Sequence, residues 1–420
     1  MPRRFITIAV AFIFLLGLAG PALAADADVA ALMAELKALK ARVGQLESKL
    51  AAAQGQAAKA AADAAAAAQQ TSKISQQVQD TTKPGWLSEL SKRVSVSGAV
   101  EFEASWERSR PAAGDSETSS NLELAKAEII FALQIHKYAK GVIHFLWEQG
   151  DDAIGLDEGF ILLGQTDDVP FYVMAGRMYP AIGVFDSWFI SDPITLEAFE
   201  TQATAIEVGY AHQWFSIGVG GYNATVHARS DTGSNLNTFF ARLNITPPAE
   251  LLGGVAVTLG FAYTNNIATN NGLGDVVAGT LVPDDTGALA PSGDNTLASL
   301  VGGYSASILV EYGMFSLAAE YITAASSFTA ADLTMDNGAA SPRPRAFNIE
   351  LAITPVEPLT IAVRYGGSRD MFDLYPESQY GIAASYQLLE HVTLALQYLH
   401  NRFSNDDQSD LVSGQLAVEF

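Results

Sequence analysis

The chain has 420 residues, no cysteine and a formal net charge of −22, and 49% of its residues are hydrophobic. The acidic excess argues against the basic patches that nucleic-acid binding needs, so no nucleic-acid partner is predicted. The absence of cysteine excludes disulfides, thiol catalysis and cysteine-ligated zinc.

Residues 1–24 have the pattern of a secretory signal peptide. The basic start "MPRR" precedes the apolar run "FITIAVAFIFLLGLAG", and Ala22-Leu23-Ala24 fits a cleavage site of small residues. The alternative, an N-terminal membrane helix, is disfavoured because the apolar run is short and no stop-transfer charges follow it. No later segment approaches the ~18 apolar residues of a transmembrane helix. The sequence therefore predicts an exported protein.

Residues 25–83 are predicted to form an α-helical coiled coil, followed by a linker over 84–93. Their apolar residues alternate in spacing between three and four, at Val29, Leu32, Leu36, Leu39, Val43, Leu46 and Leu50. This heptad pattern favours self-association, without deciding between a dimer and a trimer. The alternative is a single alanine-rich helix or a flexible spacer. Lys83-Pro84-Gly85 is expected to end the helix, because proline and glycine do not continue one.

From Val94 to Phe420 the hydrophobic period changes to two, which is typical of strands. In "VSVSGAVEFEASWE" the residues Val96, Val100, Phe102 and Trp106 share one face, and serine and glutamate occupy the other. Sixteen such segments begin near residues 94, 124, 140, 156, 171, 203, 214, 237, 255, 302, 314, 345, 359, 378, 391 and 411.

The connections between these segments alternate between short and long. The long ones are 109–121, 149–155, 178–202, 226–236, 266–300, 327–343, 367–377 and 403–409. Outer-membrane barrels have short periplasmic turns and longer outer loops, whereas a soluble sandwich has no reason to sort its loops. Residues 94–420 are therefore predicted to form an all-β transmembrane barrel of about 16 antiparallel strands. The coiled coil would precede it on the periplasmic side of a Gram-negative outer membrane.

The polar faces of the predicted strands carry charged side chains that a packed core would not bury unpaired, but that a hydrated lumen accommodates. The candidates for the lumen wall are Lys126, Glu128, Glu207, Arg242, Glu311, Glu320, Glu350 and Arg364. Because most of them are acidic, the lumen is expected to favour cations or neutral solutes over small anions.

The third long connection contains "RMYPAIGVFDSWFISDPITLEAFETQ", which is unusually apolar for a loop in water. It is expected to pack against the inner wall and narrow the lumen; the alternative is packing at a subunit interface. The constriction candidates are Arg177, Asp186, Asp192, Glu197 and Glu200. Asp192-Pro193 predicts a helix N-cap followed by proline in the first turn, with the helix running to Glu200.

Motifs for catalysis and metal binding are missing from the sequence. It contains no G-x-S-x-G, none of its six histidines lies in an HExxH pattern, and no segment matches an EF-hand loop. The sequence therefore predicts that the protein is not an enzyme, and it predicts no cofactor and no metal site.

The order of elements resembles that of the LbtU-type siderophore porins. The resemblance lies in the alanine-rich coiled coil, the opening strand "VSVSGAVEFEAS", "LDEGFILLG", and above all "AGRMYPAIGVFDSWFISDPITLE" at 175–197. It implies an outer-membrane barrel with a periplasmic coiled coil, linked to uptake of an iron-carrying siderophore. The prediction is thus a homotrimeric porin, surrounded by outer-membrane lipid, that passes small solutes, with a siderophore as one candidate. The alternatives are a general nutrient porin and a structural tether between the outer membrane and the cell wall.

Overall fold

The computed structural model describes residues 93–180, 182–231, 236–274, 276–277, 281–283, 289–291, 294–329, 332–333, 341–371 and 374–420. The predicted signal peptide and coiled coil, and all of the linker except residue 93, lie outside the described residues. The described residues belong to one compact unit, Glu89–Phe420.

Sixteen of the described strands form a closed antiparallel barrel. The first eight are β1 Val94–Arg110, β2 Glu117–His136, β3 Ala139–Glu148, β4 Gly155–Gly164, β5 Phe171–Met178, β6 Ala203–Ala211, β7 Phe215–Tyr222 and β8 Thr238–Ile245. The others are β9 Ala256–Thr264, β10 Gly303–Tyr312, β11 Phe315–Ala324, β12 Arg345–Val356, β13 Leu359–Arg369, β14 Ser378–Leu389, β15 Val392–Arg402 and β16 Gln408–Glu419. Each strand pairs with its neighbours along the chain, and β1 pairs with β16 from Ala99 opposite Glu419 to Arg110 opposite Gln408.

The sixteen predicted strands are confirmed, with two corrections to where they begin. The predicted alternation of short and long connections holds except at 149–154 and 165–170, which have the same length. Strand β2 begins at Glu117 rather than near 124, and β16 begins at Gln408 rather than near 411. The first long connection is therefore 111–116 instead of 109–121. The polar start of β2 lacks the apolar alternation of a strand in lipid, but it pairs with the equally polar end of β1, where Ser109 lies opposite Glu117.

The apolar side chains of the strands point outward, as predicted. In β16, Val412, Leu416 and Val418 are 42%, 41% and 41% exposed, whereas Ser413 and Ala417 are buried on the inner face. A soluble barrel would place its apolar face inside, so this arrangement is that of a barrel that contacts lipid. Among the described residues, no helix is both long and apolar enough to cross a bilayer.

The long connections contain short elements of their own. Helix α1 is Ile194–Phe199, helix α2 is Asn271–Gly274, and a 3₁₀ helix is Ile267–Thr269; a second 3₁₀ helix, Ala249–Leu252, lies in a short connection. Two short strand pairs join Leu281–Pro283 to Leu289–Pro291 and His227–Ala228 to Thr296–Leu297. Apolar side chains of these connections and inward-facing residues of β11 and β12 pack into one buried cluster, which includes Phe199, Leu273, Leu297, Ile322, Phe328 and Met371. This cluster fills part of the barrel interior at its long-loop end.

The barrel closes on the C-terminal aromatic residue. The backbone N–H of Gly98 donates to the Phe420 carbonyl and the Phe420 N–H donates to the Gly98 carbonyl, each at 3.0 Å. A Cβ at position 98 would lie 2.7 Å from the Phe420 ring and would also collide with the Glu128 carbonyl oxygen. The ring therefore covers this glycine at the seam, a known way to stabilise glycine in an edge strand.

Replacing Gly98 with alanine is expected to displace the Phe420 ring and to destabilise the seam by about 1–3 kcal/mol, because the site has no free volume for a Cβ. Urea unfolding in lipid vesicles measures the loss. Gly155→Ala is the matched control, since a Cβ there meets its nearest atom, the Leu146 carbonyl oxygen, at 3.9 Å. Equal stability of the two variants would contradict this account of the seam.

Candidate functional site: the inner loop and the lumen wall

Residues 179–202, here called the inner loop, connect β5 to β6 and lie against the inner face of β10–β15. The N–H of Val184 donates to Glu320 at 2.6 Å and the N–H of Trp188 donates to Glu350 at 2.8 Å. Farther along, the N–H groups of Ile190 and Ser191 both donate to Gln397 Oε1 at 3.0 Å. The loop therefore folds into the barrel, as its apolar composition predicts.

These contacts follow from the backbone chemistry of the loop. Most of the inner loop is irregular, so its N–H groups have no partners within a helix or sheet, and buried N–H groups need acceptors. Glu320, Glu350 and Gln397 supply them, and all three are buried on the inner face of their strands. Their acidic and amide side chains thus act as anchors for the loop rather than as lining of a water-filled wall.

Arg364 is the central anchor of the inner loop. Its Nε lies 2.8 Å from Glu350 Oε1, and both side chains are fully buried. Its guanidinium also donates to the carbonyls of Ser191 at 2.9 Å and Asp192 at 3.2 Å, and it lies 4.2 Å from the Phe189 ring centroid. Arg364 is on the inner wall, as predicted, but the loop covers it. The expectation that its charge faces the lumen water is therefore wrong.

A second cation, the partly buried Arg242, is neutralised by a buried carboxylate on the wall of β5, β6 and β8. Arg242 Nη2 lies 2.8 Å from Glu207 Oε1, and the Tyr172 hydroxyl donates to the same carboxylate. Glu207 is almost fully buried, so this pair contributes little net charge to the lumen. Glu311 lies near the end of β10, on the same face of the strand as the inward-facing Ser305, and its side chain is exposed there.

The inner face of β1–β4 is not covered by these loop contacts, and it is strongly acidic. Its carboxylates are Glu101, Glu103, Glu123, Glu128, Glu148, Asp157 and Glu158. Lys126 lies 3.3 Å from Glu128 and 3.9 Å from Glu101, and His144 lies between Glu128 and Asp157. Of the predicted wall residues, Lys126 and Glu128 therefore occupy this acidic half of the lumen.

The far end of the inner loop presents Asp192, Glu197 and Glu200. The side chains of Asp192 and Glu197 are open to the lumen at their ends, but nearby protein removes part of the water that would otherwise surround them. Burial raises the pKa of Asp192, while Arg364 and Lys126 act in the opposite direction. Burial and the neighbouring Asp192 raise the pKa of Glu197 to about 7. For Glu200, burial followed by Asp192, Asp157, Glu148 and Glu158 also raises the pKa to about 7.

Three further predictions about the inner loop differ in outcome. Helix α1 begins one residue later than expected: Pro193 is its N-cap, no side chain caps it, and Asp192 instead offers its carbonyl to Arg364. Asp186 is open to the lumen, and the pKa of its carboxyl is raised by partial loss of hydration beside the barrel wall and next by the charge of Glu350. Arg177 shares the outward face of β5 with Val173, opposite the buried Met178, so the structure does not group it with the loop carboxylates.

Sequence reasoning missed the role of Gln397 and the cluster of His144, Asp157 and Glu158. Gln397 carries no charge, so nothing in the sequence distinguishes it from other polar wall residues. The pair Asp157-Glu158 gives a weak signal, because two consecutive acidic residues break the alternation of an otherwise regular strand. Such a break is typical of a β-bulge.

The chain is similar in sequence to a small number of known proteins. No known protein-family model matches the chain. The UPF0422 protein of Legionella pneumophila strain Paris is 23% identical over 313 residues, covering 68% of this chain and 55% of that protein. The UPF0422 protein of Coxiella burnetii is 25% identical over 326 residues, covering 74% of this chain and 64% of that protein. The chain thus spans only about half to two thirds of the length of these relatives.

Three solved structures resemble the barrel. The outer-membrane channel DcaP of Acinetobacter baumannii matches with a TM-score of 0.51 at 12% identity, over 78% of this chain and 97% of DcaP. Salmonella typhi OmpF matches with a TM-score of 0.50 at 12% identity, over 78% of this chain and 97% of OmpF. Pseudomonas putida OprB matches with a TM-score of 0.50 at 11% identity, over 79% of this chain and 95% of OprB. At these identities the likeness is one of fold alone: a closed barrel of the kind found in outer-membrane channels.

Proposed function

We propose that the protein is an outer-membrane porin that lets small solutes, with a preference for cations, diffuse through a lumen narrowed by the inner loop. The observation that carries this proposal is the division of the lumen. The inner loop covers the wall from β10 to β15, while the inner face of β1–β4 and the loop carboxylates remain acidic. A lumen of about 16 strands is wide enough to hold water even with such a loop inside it.

The expected selectivity follows from the pairing of the charges. Arg364 and Arg242 are neutralised by buried carboxylates, so neither adds a free positive charge to the passage. Asp192, Glu197 and Glu200 lie on the loop side, and Glu101 and Glu148 lie on the wall side. Charged groups of one sign that line a narrow pore raise the local concentration of the opposite ion.

A planar bilayer with a KCl gradient tests the proposal. The full-length protein is expected to form open channels whose reversal potential shows preference for K⁺ over Cl⁻. Replacing both Glu101 and Glu148 with glutamine is expected to lower the permeability ratio by roughly threefold, because two wall charges are lost. Glu390→Gln is the matched control, since Glu390 lies in a short turn with its side chain 90% exposed. Anion preference, or no conductance, would refute the proposal.

Uptake of an iron siderophore is the second candidate. It rests on the resemblance of residues 175–197 to the LbtU-type siderophore porins, and those residues form much of the inner loop. The acidic lumen disfavours anionic siderophores and is compatible with neutral or cationic ones. Adding a ferric siderophore to the same bilayer is expected to block or reduce the K⁺ current if this candidate is correct. A siderophore that neither blocks nor permeates would leave the general porin as the function.

The remaining parts of the proposal concern placement and assembly. We place the barrel in the outer membrane of a Gram-negative bacterium, with the signal peptide (1–24) removed, the coiled coil (25–83) in the periplasm, and 84–93 as a linker. The heptads and the barrel wall are proposed to support a homotrimer. The mass of the detergent-solubilised protein with and without 25–83 tests this. The alternative role is a tether between the outer membrane and the cell wall. Deleting 25–83 would abolish a tethering function, whereas the channel should keep its single-channel conductance.

A further inference from the structure

We propose that His144, Asp157 and Glu158 form a binding site for a divalent transition-metal ion on the inner wall of the barrel. Each of the three side chains offers one ligand atom, and these atoms lie within 4.8 Å of one another. His144 Nδ1 and Asp157 Oδ2 are 3.0 Å apart. That distance is close to the separation of two neighbouring ligands when each lies about 2.1 Å from a shared metal ion.

The backbone brings the three side chains together through a β-bulge. His144 on β3 pairs with Glu158 on β4, but the next residue, Phe145, pairs with Leu156, so Asp157 is left without a partner in the register. An extra residue of this kind re-aims its side chain, and it allows two consecutive residues to reach the same face of a sheet. Asp157 and Glu158 therefore both serve the inner wall, whereas regular alternation would send one of them outward into lipid.

The surroundings hold His144 in a fixed orientation. His144 Nε2 lies 3.1 Å from Glu128 Oε2, and Glu128 is itself held by Lys126 at 3.3 Å. A metal-binding histidine commonly donates its second ring N–H to a carboxylate, which fixes the tautomer and leaves the other nitrogen free for the metal. If Nε2 donates its hydrogen to Glu128, the lone pair of Nδ1 is available to a metal ion bound beside Asp157 and Glu158.

Asp157 is held in the same way from its other side. Its Oδ1 accepts a hydrogen bond from the Tyr179 hydroxyl at 2.6 Å and another from Gln202 Nε2 at 2.7 Å. These bonds occupy one carboxylate oxygen and leave Oδ2 directed at His144. The side chains of His144 and Asp157 are only 11% and 10% exposed, so most of the surface of these two ligands is shielded from bulk water.

The ligand set indicates the class of metal. One imidazole nitrogen with two carboxylates suits Zn²⁺, Co²⁺, Mn²⁺ or Fe²⁺, whereas Ca²⁺ and Mg²⁺ prefer oxygen ligands throughout. Three protein ligands leave at least one coordination position for water or for a donor atom of a passing solute. A metal ion bound at this site could therefore retain solutes inside the lumen. This role does not depend on the cation preference proposed above.

The test uses the full chain, purified in detergent without a polyhistidine tag and treated with a chelator. Calorimetric titration with Zn²⁺ is expected to give about one ion per chain, and Co²⁺ is expected to show the visible absorption of a site with nitrogen and oxygen ligands. His144→Ala and Asp157→Asn are expected to abolish both signals. Gln202→Ala removes no ligand atom, but it removes the hydrogen bonds from Gln202 to the Asp157 carboxylate and carbonyl. It is expected to weaken binding about tenfold.

His400→Ala is the matched control. His400 Nδ1 lies 2.9 Å from Asp410 Oδ1, so it forms a similar histidine–aspartate pair, but it is not part of a three-ligand group among the described residues. This variant should bind Zn²⁺ like the parent protein. The proposal is overturned if the parent binds no Zn²⁺, or if Asp157→Asn binds as tightly as His400→Ala. Should Asp157→Asn fail to fold, Glu158→Gln decides between the same two outcomes.

Discussion

Arg364→Ala is expected to release the inner loop and to destabilise the barrel by about 3–5 kcal/mol, because it leaves the Glu350 carboxylate buried without its counter-charge. The substitution also removes the donors to the carbonyls of Ser191 and Asp192. A loop that is no longer held against β12 and β13 should narrow the lumen less, so single-channel conductance should rise. Urea unfolding in lipid vesicles and planar-bilayer recordings measure the two effects.

Two further variants separate the causes. Glu350→Gln/Arg364→Met removes both buried charges, and should recover most of the lost stability while the conductance stays raised. Arg369→Ala is the matched control, because its pair with Glu377 at 2.8 Å has side chains that are 50% and 41% exposed. Such a pair contributes about 1 kcal/mol or less. If Arg364→Ala matched Arg369→Ala in stability and conductance, the proposed anchoring role would be incorrect.

Acidification is expected to lower the cation preference of the channel. The pKa values of Glu197 and Glu200 are raised to about 7, mainly by burial and next by the nearby Asp192. Both carboxyl groups are therefore charged above that pH and neutral below it. Between about pH 8 and about pH 6 the passage loses most of these negative charges, so the K⁺ to Cl⁻ permeability ratio should fall. Reversal potentials under a fixed KCl gradient measure the change.

The double variant Glu197→Gln/Glu200→Gln provides the critical comparison. Its permeability ratio at about pH 8 should equal that of the parent protein at about pH 6, and further acidification should change it little. Glu311→Gln, at the rim of the inner face, should retain the pH dependence of the parent. An unchanged pH dependence in the double variant would show that other groups titrate.

Alternation along the strands allowed the barrel to be predicted in detail. Lipid on one side and water on the other impose opposite demands on consecutive residues, so Val412 and Leu416 differ from Ser413 and Gln415 in a way visible in the sequence. The number of strands followed from that pattern. The placement of Glu207, Arg242, Glu320, Glu350 and Arg364 on the inner face also followed.

Periodicity identifies the face on which a side chain lies, but it does not say what else covers that face. Glu320, Glu350 and Arg364 belong to the same polar pattern as Lys126, yet the inner loop buries the first three and leaves Lys126 at 30% side-chain exposure. Which wall segment receives a loop depends on contacts between residues more than 100 positions apart, such as Val184 with Glu320. A local pattern carries no information about such pairs.

The two-residue period of the strands is enough to predict a barrel with an apolar exterior and a charged interior, because it reflects the surroundings of each face. Which charged side chains lie next to each other depends on the folded barrel. It pairs Arg364 with Glu350 under the inner loop, and it brings His144 to Asp157 and Glu158 through a single unpaired residue in β4. Such pairings depend on register and on a loop returning across the barrel, and both are properties of the closed sheet rather than of any one strand.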